Sequence, residues 1–379
     1  MSAMTIAEPT PPQTLYLRVN RKFLFLFPAA TQQQPNPQPL APLPGTTGPG
    51  NLNVIVAQLP ALRPFAGDTV DWLIKVARFI FDPLGTSSLY TFTTETVEWW
   101  LNREMEPSVW RQVGFGEQLE ATIYEYRLDN DALVALTRFS LRPTRSVTTQ
   151  TSAPRANMFR DTLLRRHQRC IITQSPIPSL LVASHLIPRR LGDAGVHATV
   201  ERFTGDSNVL DRYDPIIGVP LLATLDLLVD TFDMGFWNTG PDQYVVHSFI
   251  DTPLDLYGGP PRTPNHMCHG HQLTLSTHDP SLSLPPVGVF NWHYVQCVLK
   301  KFSSSDYQQI DNIYHFVVPF RTRDDDDDGD VDFDDEGNIT NPPYPSYLWE
   351  LSEARERRRL DAIEHNRAVV TWNSNVSST

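Results

Sequence analysis

Cysteine is scarce in this chain of 379 residues: Cys170, Cys268 and Cys297 are an odd and scattered set of three. They supply no disulfide framework, which argues against the small stapled secreted domains and points to a reducing compartment. Long apolar runs are missing as well, and no uncharged stretch approaches a membrane span. The opening residues, MSAMTIAEPTPPQ, lack the basic start and apolar core of a signal peptide. The expectation is an intracellular protein, nuclear or cytoplasmic, that is not secreted and has no membrane partner.

An excess of positive charge is also lacking, since the formal net charge is −12. The deficit is local. The run Asp324 to Glu336, DDDDDGDVDFDDE, carries ten acidic side chains, and removing those ten from −12 leaves −2 for the rest of the chain. Net charge therefore does not exclude a nucleic-acid ligand. A hydrophobic content of 40% and an aromatic content of 10% suit a globular protein with irregular insertions, long enough for two or three domains.

What is present is concentrated between Arg160 and Trp237. CIIT and SLLVASHLIP are short β-leaning runs separated by QSPIP, and two prolines there predict a hairpin. The second run ends in His185, and Pro188 stops the strand just beyond it, leaving the imidazole at the strand's lip. From Gly218 to Asp233, the residues Leu221, Leu222, Leu225, Val229 and Phe232 recur at three- and four-residue spacing, which predicts a helix. Asp226 and Asp230 stand four apart on one face of it, where a divalent cation could lie between that face and His185.

This stretch resembles the HNH nucleases, in the branch whose pattern is Cys-x-x-Thr, Ala-Ser-His-hydrophobic-x-Pro, Asp-Pro-x-Asn-Gly and a Leu-rich helix carrying two acids four apart. The chain shows Cys170-Ile-Ile-Thr173, Ala183-Ser184-His185-Leu186-Ile187-Pro188, Asp214-Pro215-Ile216-Ile217-Gly218, Leu221, Asp226 and Asp230. The resemblance implies an α+β fold: a ββα-metal (HNH-like) core embedded in a larger mixed α/β chain with flexible insertions. It implies His185 as the general base on the water that attacks a phosphodiester. Asp226 would be a metal ligand on the helix, helped by Asp230 or Asp214, and the cofactor Mg²⁺ or Mn²⁺ in preference to Zn²⁺. Two positions depart from the pattern. Ile217 stands where the family has the Asn that orients the histidine loop, and Leu225 and Asp226 stand where many members have a histidine. These departures keep a second function open: a catalytically inactive HNH-fold module for nucleic-acid or protein binding.

From Arg155 to Arg190 seven arginines face one acid, Asp161. Arg165, Arg166, Arg189 and Arg190 are the candidates for holding the phosphates of a DNA or RNA partner, against the alternative of a solvated helix face. A second candidate metal cluster is His266, Cys268, His269 and His271, four possible ligands within six residues that lack an evident second pair.

The chain divides by composition. Residues 1–13 read as a disordered N-terminus and 14–141 as an N-terminal α+β module with strands near 14–27, 54–59, 119–128 and 133–141. Helices are expected from Val70 to Phe81 and at 94–101, and Trp72, Trp99, Trp100 and Trp110 fit a core better than a base-stacking surface. Residues 142–156 read as a linker and 157–250 as the nuclease-like domain. Residues 251–321 read as a C-terminal α+β extension with a Pro-started helix over 284–302, similar to the C-terminal part of fungal proteins that carry this domain. The acidic and Pro-rich segment 322–346 cannot fold alone because its charges repel, and 347–379 reads as a final helix and tail.

Overall fold

The apolar alternation of TLYLRVN and NLNVIVAQ makes two antiparallel strands, β1 (Thr14–Asn20) and β2 (Asn51–Gln58), with Leu15, Leu17 and Val19 facing inward. The computed structural model describes residues 13–20, 50–85, 88–91, 109–127, 154–206, 211–250 and 269–308, all within one compact unit spanning 1–316. Several expected elements lie outside those residues: the helix at 94–101, the strand at 133–141, the acidic segment and the final helix, together with Trp99 and Trp100.

The first sheet has five strands in the order β2-β1-β5-β3-β4, with β3 (Ser88–Thr91), β4 (Arg111–Gln112) and β5 (Ile123–Arg127). β5 runs parallel to β1, and the other neighbours are antiparallel. Between these two a buried ion pair, Arg18 Nε to Glu125 Oε2 at 3.0 Å, is extended by Arg127 at 2.8 Å from the other carboxylate oxygen. Both guanidiniums stand over the Trp110 ring, that of Arg18 at 5.2 Å and that of Arg127 at 4.8 Å from its centroid. Trp110 and Trp72 are both buried, as core residues should be.

Two helices follow β2. α1 (Leu59–Ala66) was not expected, because Pro60 and Pro64 hide it: the first occupies the opening turn, where proline is tolerated. α2 (Asp71–Phe81) buries Leu73, Val76, Ala77 and Ile80 at the expected helical spacing.

α3 (Pro154–His167) leads into the central stretch, and there the structure corrects two expectations. Cys170 to Thr173 is a tight turn, with Gln174 N donating to Cys170 O, and not the first strand of a hairpin. β6 (Leu181–His185) pairs instead with β7 (Gly218–Leu222), so that His185 faces Gly218 and Leu181 faces Leu222. The expected helix over 218–233 is accordingly a strand followed by α5 (Ala223–Asp230). Pro220 is the physical reason, since a proline in the helix interior would remove a bond and clash with the preceding turn. On the strand its carbonyl accepts from Ile171 N at 3.1 Å, which fastens the 170–174 turn to β7.

Between β6 and β7 the expected irregular loop contains α4 (Gly192–Thr204), whose Val196, Val200 and Phe203 are buried. Its glycines lower helix propensity and conceal it in the sequence. The third sheet, β10-β9-β8, is built from β8 (Met234–Gly240), β9 (Gln243–Ser248) and β10 (Gln272–Thr274).

The last described helix, α6 (Val287–Phe302), runs through the middle and packs on β8, α4, α2 and β2. Gly288 allows the crossing with α4, because a Cβ there would lie 2.2 Å from Phe203 O. Tyr294 on α6 accepts from Trp72 Nε1 at 2.8 Å, and Ser304 N donates to Val54 O at 2.8 Å. The stretches assigned by composition to an N-terminal module, a nuclease-like domain and a C-terminal extension thus contribute to one continuous hydrophobic core. Among the described residues no helix is long and apolar enough to cross a membrane.

Candidate functional site at the end of β6

His185 closes β6, and the chain turns away at Pro188 into a short 3-10 helix, Arg189–Leu191. The turn is held by Leu186 N donating to Ile217 O at 2.8 Å. Ile217 therefore contributes its backbone to the histidine loop, while its side chain is fully buried in the apolar core. No side-chain hydrogen bond is possible from it.

The His185 ring stacks on Phe159 of α3, with centroids 4.3 Å apart and planes at 22°. Tyr213 meets it edge-on at 6.2 Å and 73°. The ring hydrogen-bonds the Arg212 backbone, whereas Nε2 is buried and has no hydrogen-bond partner. Burial pushes its pKa down to about 3, and the neighbouring charge of Arg189 adds to the effect, with that of Arg212 a smaller contribution. The imidazole is neutral at physiological pH and carries an unpaired nitrogen that a buried polar group normally does not leave open.

Two guanidiniums border this ring through Tyr213. Arg189 donates to the Tyr213 hydroxyl at 3.3 Å, and its guanidinium carbon stands 6.0 Å from the Tyr213 ring centroid. The Arg212 guanidinium lies 5.7 Å from the same centroid, with a long ion pair of 3.6 Å to Asp193. Both charges act on the imidazole, and the two guanidiniums attract anions, whereas the open Nε2 of the neutral ring is an acceptor.

The carboxylates expected to hold a metal are placed otherwise. Asp214 caps the 3-10 turn of residues 215–217, accepting from Ile216 N at 3.0 Å, and its charge favours the Arg166 guanidinium. Asp226 is buried in the first turn of α5 and takes part in the fold's own interactions, and Asp230 ends the same helix, partly exposed. Among the described residues no three of His, Cys, Asp and Glu gather closely enough to hold a metal ion. With arginines beside the imidazole, this donor set does not fit Mg²⁺ or Mn²⁺, which favour clustered oxygen ligands.

In the second expected cluster, His266 and Cys268 lie outside the described residues. His269 engages backbone with both ring nitrogens, accepting from Ser248 N at 3.3 Å and pairing Nε2 with Pro64 O at 3.0 Å. It stacks on His247 at 5.2 Å. His271 leads into β10, where its carbonyl accepts from Val246 N.

The arginines of the basic stretch divide sharply. Arg166 is fully buried: Nε donates to His167 Nε2 at 2.9 Å, Nη1 to Pro215 O at 2.9 Å and Ser283 O at 3.0 Å, and Nη2 to Gly218 O at 2.5 Å. It fastens α3 to the start of β7 and presents nothing to solvent. Burial draws its pKa down to about 10, against the opposing pull of Asp214. Arg165 is exposed and paired with Asp279 at 3.3 Å, Arg155 is paired with Asp211 at 3.3 Å, and Arg160 caps the carbonyls of Pro178 and Leu181. Arg190 lies in the turn after β6, with only its backbone described.

Comparison with protein families, with curated proteins and with solved structures returns no match. The site's description therefore rests on its own geometry. The sequence had not singled out Phe159, Tyr213 or Arg212, which surround His185. Phe159 alone left a trace there, an apolar residue four before Leu163 on the inner face of α3.

Proposed function

We propose that this chain is an HNH-nuclease-like protein that takes a nucleic-acid phosphodiester on Arg189 and Arg212, beside His185, and holds it without cutting. The succession β6, β7, α5, with a histidine closing the first strand, has the order of elements that the family resemblance implies. One observation carries the binding: two guanidiniums, those of Arg189 and Arg212, gathered about Tyr213 at the end of β6. Guanidiniums recognise phosphate oxygens by paired charge-assisted bonds. An arriving phosphate would compete with contacts the two guanidiniums already make, among them a 3.3 Å hydrogen bond, two approaches to the Tyr213 ring and the 3.6 Å pair of Arg212 with Asp193.

Holding without cutting follows from the same surroundings. A general base works best when its pKa lies near the working pH, and His185 is held at about 3. Its ring is covered by Phe159 and Tyr213, Ile217 offers no orienting amide, and the described residues do not gather a metal-ligand set. The test is fluorescence anisotropy with short labelled DNA and RNA over a salt series. Arg189→Ala and Arg212→Ala should each reduce the slope of log affinity against log salt by about 1. An unchanged slope in both variants would refute the assignment.

A second reading, hydrolysis of the bound phosphodiester, is favoured by the unpaired Nε2 itself, since a neutral imidazole nitrogen at a strand end is what a proton acceptor requires. Cleavage that disappears in His185→Ala would establish it in place of the first.

A further inference from the structure

The basic excess between Arg155 and Arg190 is largely consumed by the fold, and among the described side chains following each guanidinium to its partner leaves Arg169. Arg155, Arg160, Arg165, Arg166 and Arg189 have carboxylate, carbonyl or hydroxyl partners. Arg169 is exposed, and among the described residues its side chain has no such partner. It borders a polar cavity of about 190 Å³ behind the 170–174 turn, formed with His167, Gln168, Gln174, Ser276 and His278. That volume is below the roughly 300–1,000 Å³ usual for drug-sized ligands, so a small group fits it.

The walls are set firmly. His167 accepts from Arg166 at Nε2, which puts its proton on Nδ1, and Nδ1 donates to Ser276 O at 3.0 Å. His278 N donates to Arg166 O, fixing the loop that carries the second imidazole. Four described residues other than glycine have positive φ, and two of them, Gln168 and Gln174, both at 59°, line this cavity. Such backbone is uncommon outside glycine and tends to gather where a ligand is clamped. Asp279, the carboxylate next to His278 in the chain, pairs with Arg165 at 3.3 Å and accepts from the Ser281 hydroxyl at 2.6 Å.

We propose that this cavity binds a phosphate group, gripped by the Arg169 guanidinium with the His278 imidazole and the Ser276 hydroxyl as further donors. A guanidinium offers five N–H groups and no acceptor, an imidazole offers an N–H whichever nitrogen bears the proton, and a hydroxyl completes the set for a tetrahedral oxyanion. The site is separate from His185, and the Ile171 N to Pro220 O bond ties its 170–174 wall to β7. Either free phosphate or the phosphodiester of a nucleic-acid strand could supply the group.

Two probes distinguish the sources: inorganic phosphate and a single-stranded DNA octamer, each titrated into the full chain while the His278 ring protons are followed by NMR. A saturable shift with phosphate alone identifies a free-phosphate site, and a shift with the octamer only identifies a strand contact. In either case Arg169→Ala should weaken binding at least tenfold, and Arg169→Lys should keep part of it. Absence of any shift with both probes would overturn the proposal, as would equal affinity in a folded Arg169→Ala protein. Loss in Arg189→Ala but not in Arg169→Ala would assign the effect to the other site.

Discussion

Acidification to about pH 5 should remove about 6 kcal/mol of folding stability through three buried histidines, a large share of the roughly 5–15 kcal/mol a domain possesses. His167, His247 and His293 are 7%, 5% and 0% exposed, and burial draws their pKa values down to about 4, 3 and 4. His293 shows why the neutral form is required: Nε2 pairs with Val229 O at 3.0 Å, leaving Nδ1 to face the Cys297 thiol at 3.8 Å. In the unfolded chain each would titrate near 6.5. As pH falls through that value the unfolded state takes up protons that the folded state refuses, so stability present above it is lost below it. The loss continues until the folded values near 3 to 4 are reached. By proton linkage each histidine contributes about 2 kcal/mol of this loss at about pH 5. His185 acts in the same direction. Urea unfolding at about pH 7.5 and at about pH 5, with the slope on denaturant checked for constancy, measures the difference. With His185 counted beside the other three, His293→Gln should remove about a quarter of the dependence. A denaturation midpoint that does not move between the two pH values would refute the reasoning.

Gly218→Ala should destabilise the fold by about 1–3 kcal/mol, because the new Cβ would lie 2.3 Å from Phe159 Cζ and push that ring off His185. Urea melts give the energy, and the His185 ring proton shifts report the lost stacking. Arg166→Met should cost about 3–5 kcal/mol, since it strips donors from three backbone carbonyls under α3. By contrast, Arg165→Ala on the exposed neighbour should leave the melt unchanged. Mn²⁺ titrated calorimetrically into the protein without nucleic acid should give no saturable heat in either the wild type or Asp226→Ala, and a single-site isotherm lost in the variant would show a metal site.

Much of the fold was legible where one physical signal dominated. α2 and α6 follow from apolar spacing, and β1 from alternation. Where signals competed, spacing misled. The leucines after Gly218 repeat like a helix, yet Pro220 and the pairing with β6 make the first five residues a strand. α4 was hidden by two glycines, and α1 by two prolines.

At the site, local pattern identified His185 and its place at the strand's end. It could not identify what surrounds the ring, because Phe159 arrives from 26 positions earlier and Tyr213 from 28 later. Nor could composition show that Arg166, one of several alike in sequence, is sealed under carbonyls while Arg169 is left to solvent. Burial is decided by tertiary packing, and seven arginines in a row of residues carry no mark of which will be covered.

The central claim is that the His185 site holds a phosphodiester and leaves it intact, and a single incubation tests it. Labelled DNA and RNA fragments are mixed with the purified chain and with His185→Ala, with Mn²⁺ present, and both the bound fraction and the fragment lengths are read. The account predicts salt-sensitive binding by both proteins, with fragments of unchanged length throughout. Cleavage by the wild type that vanishes in His185→Ala would contradict it, as would the absence of binding to either nucleic acid.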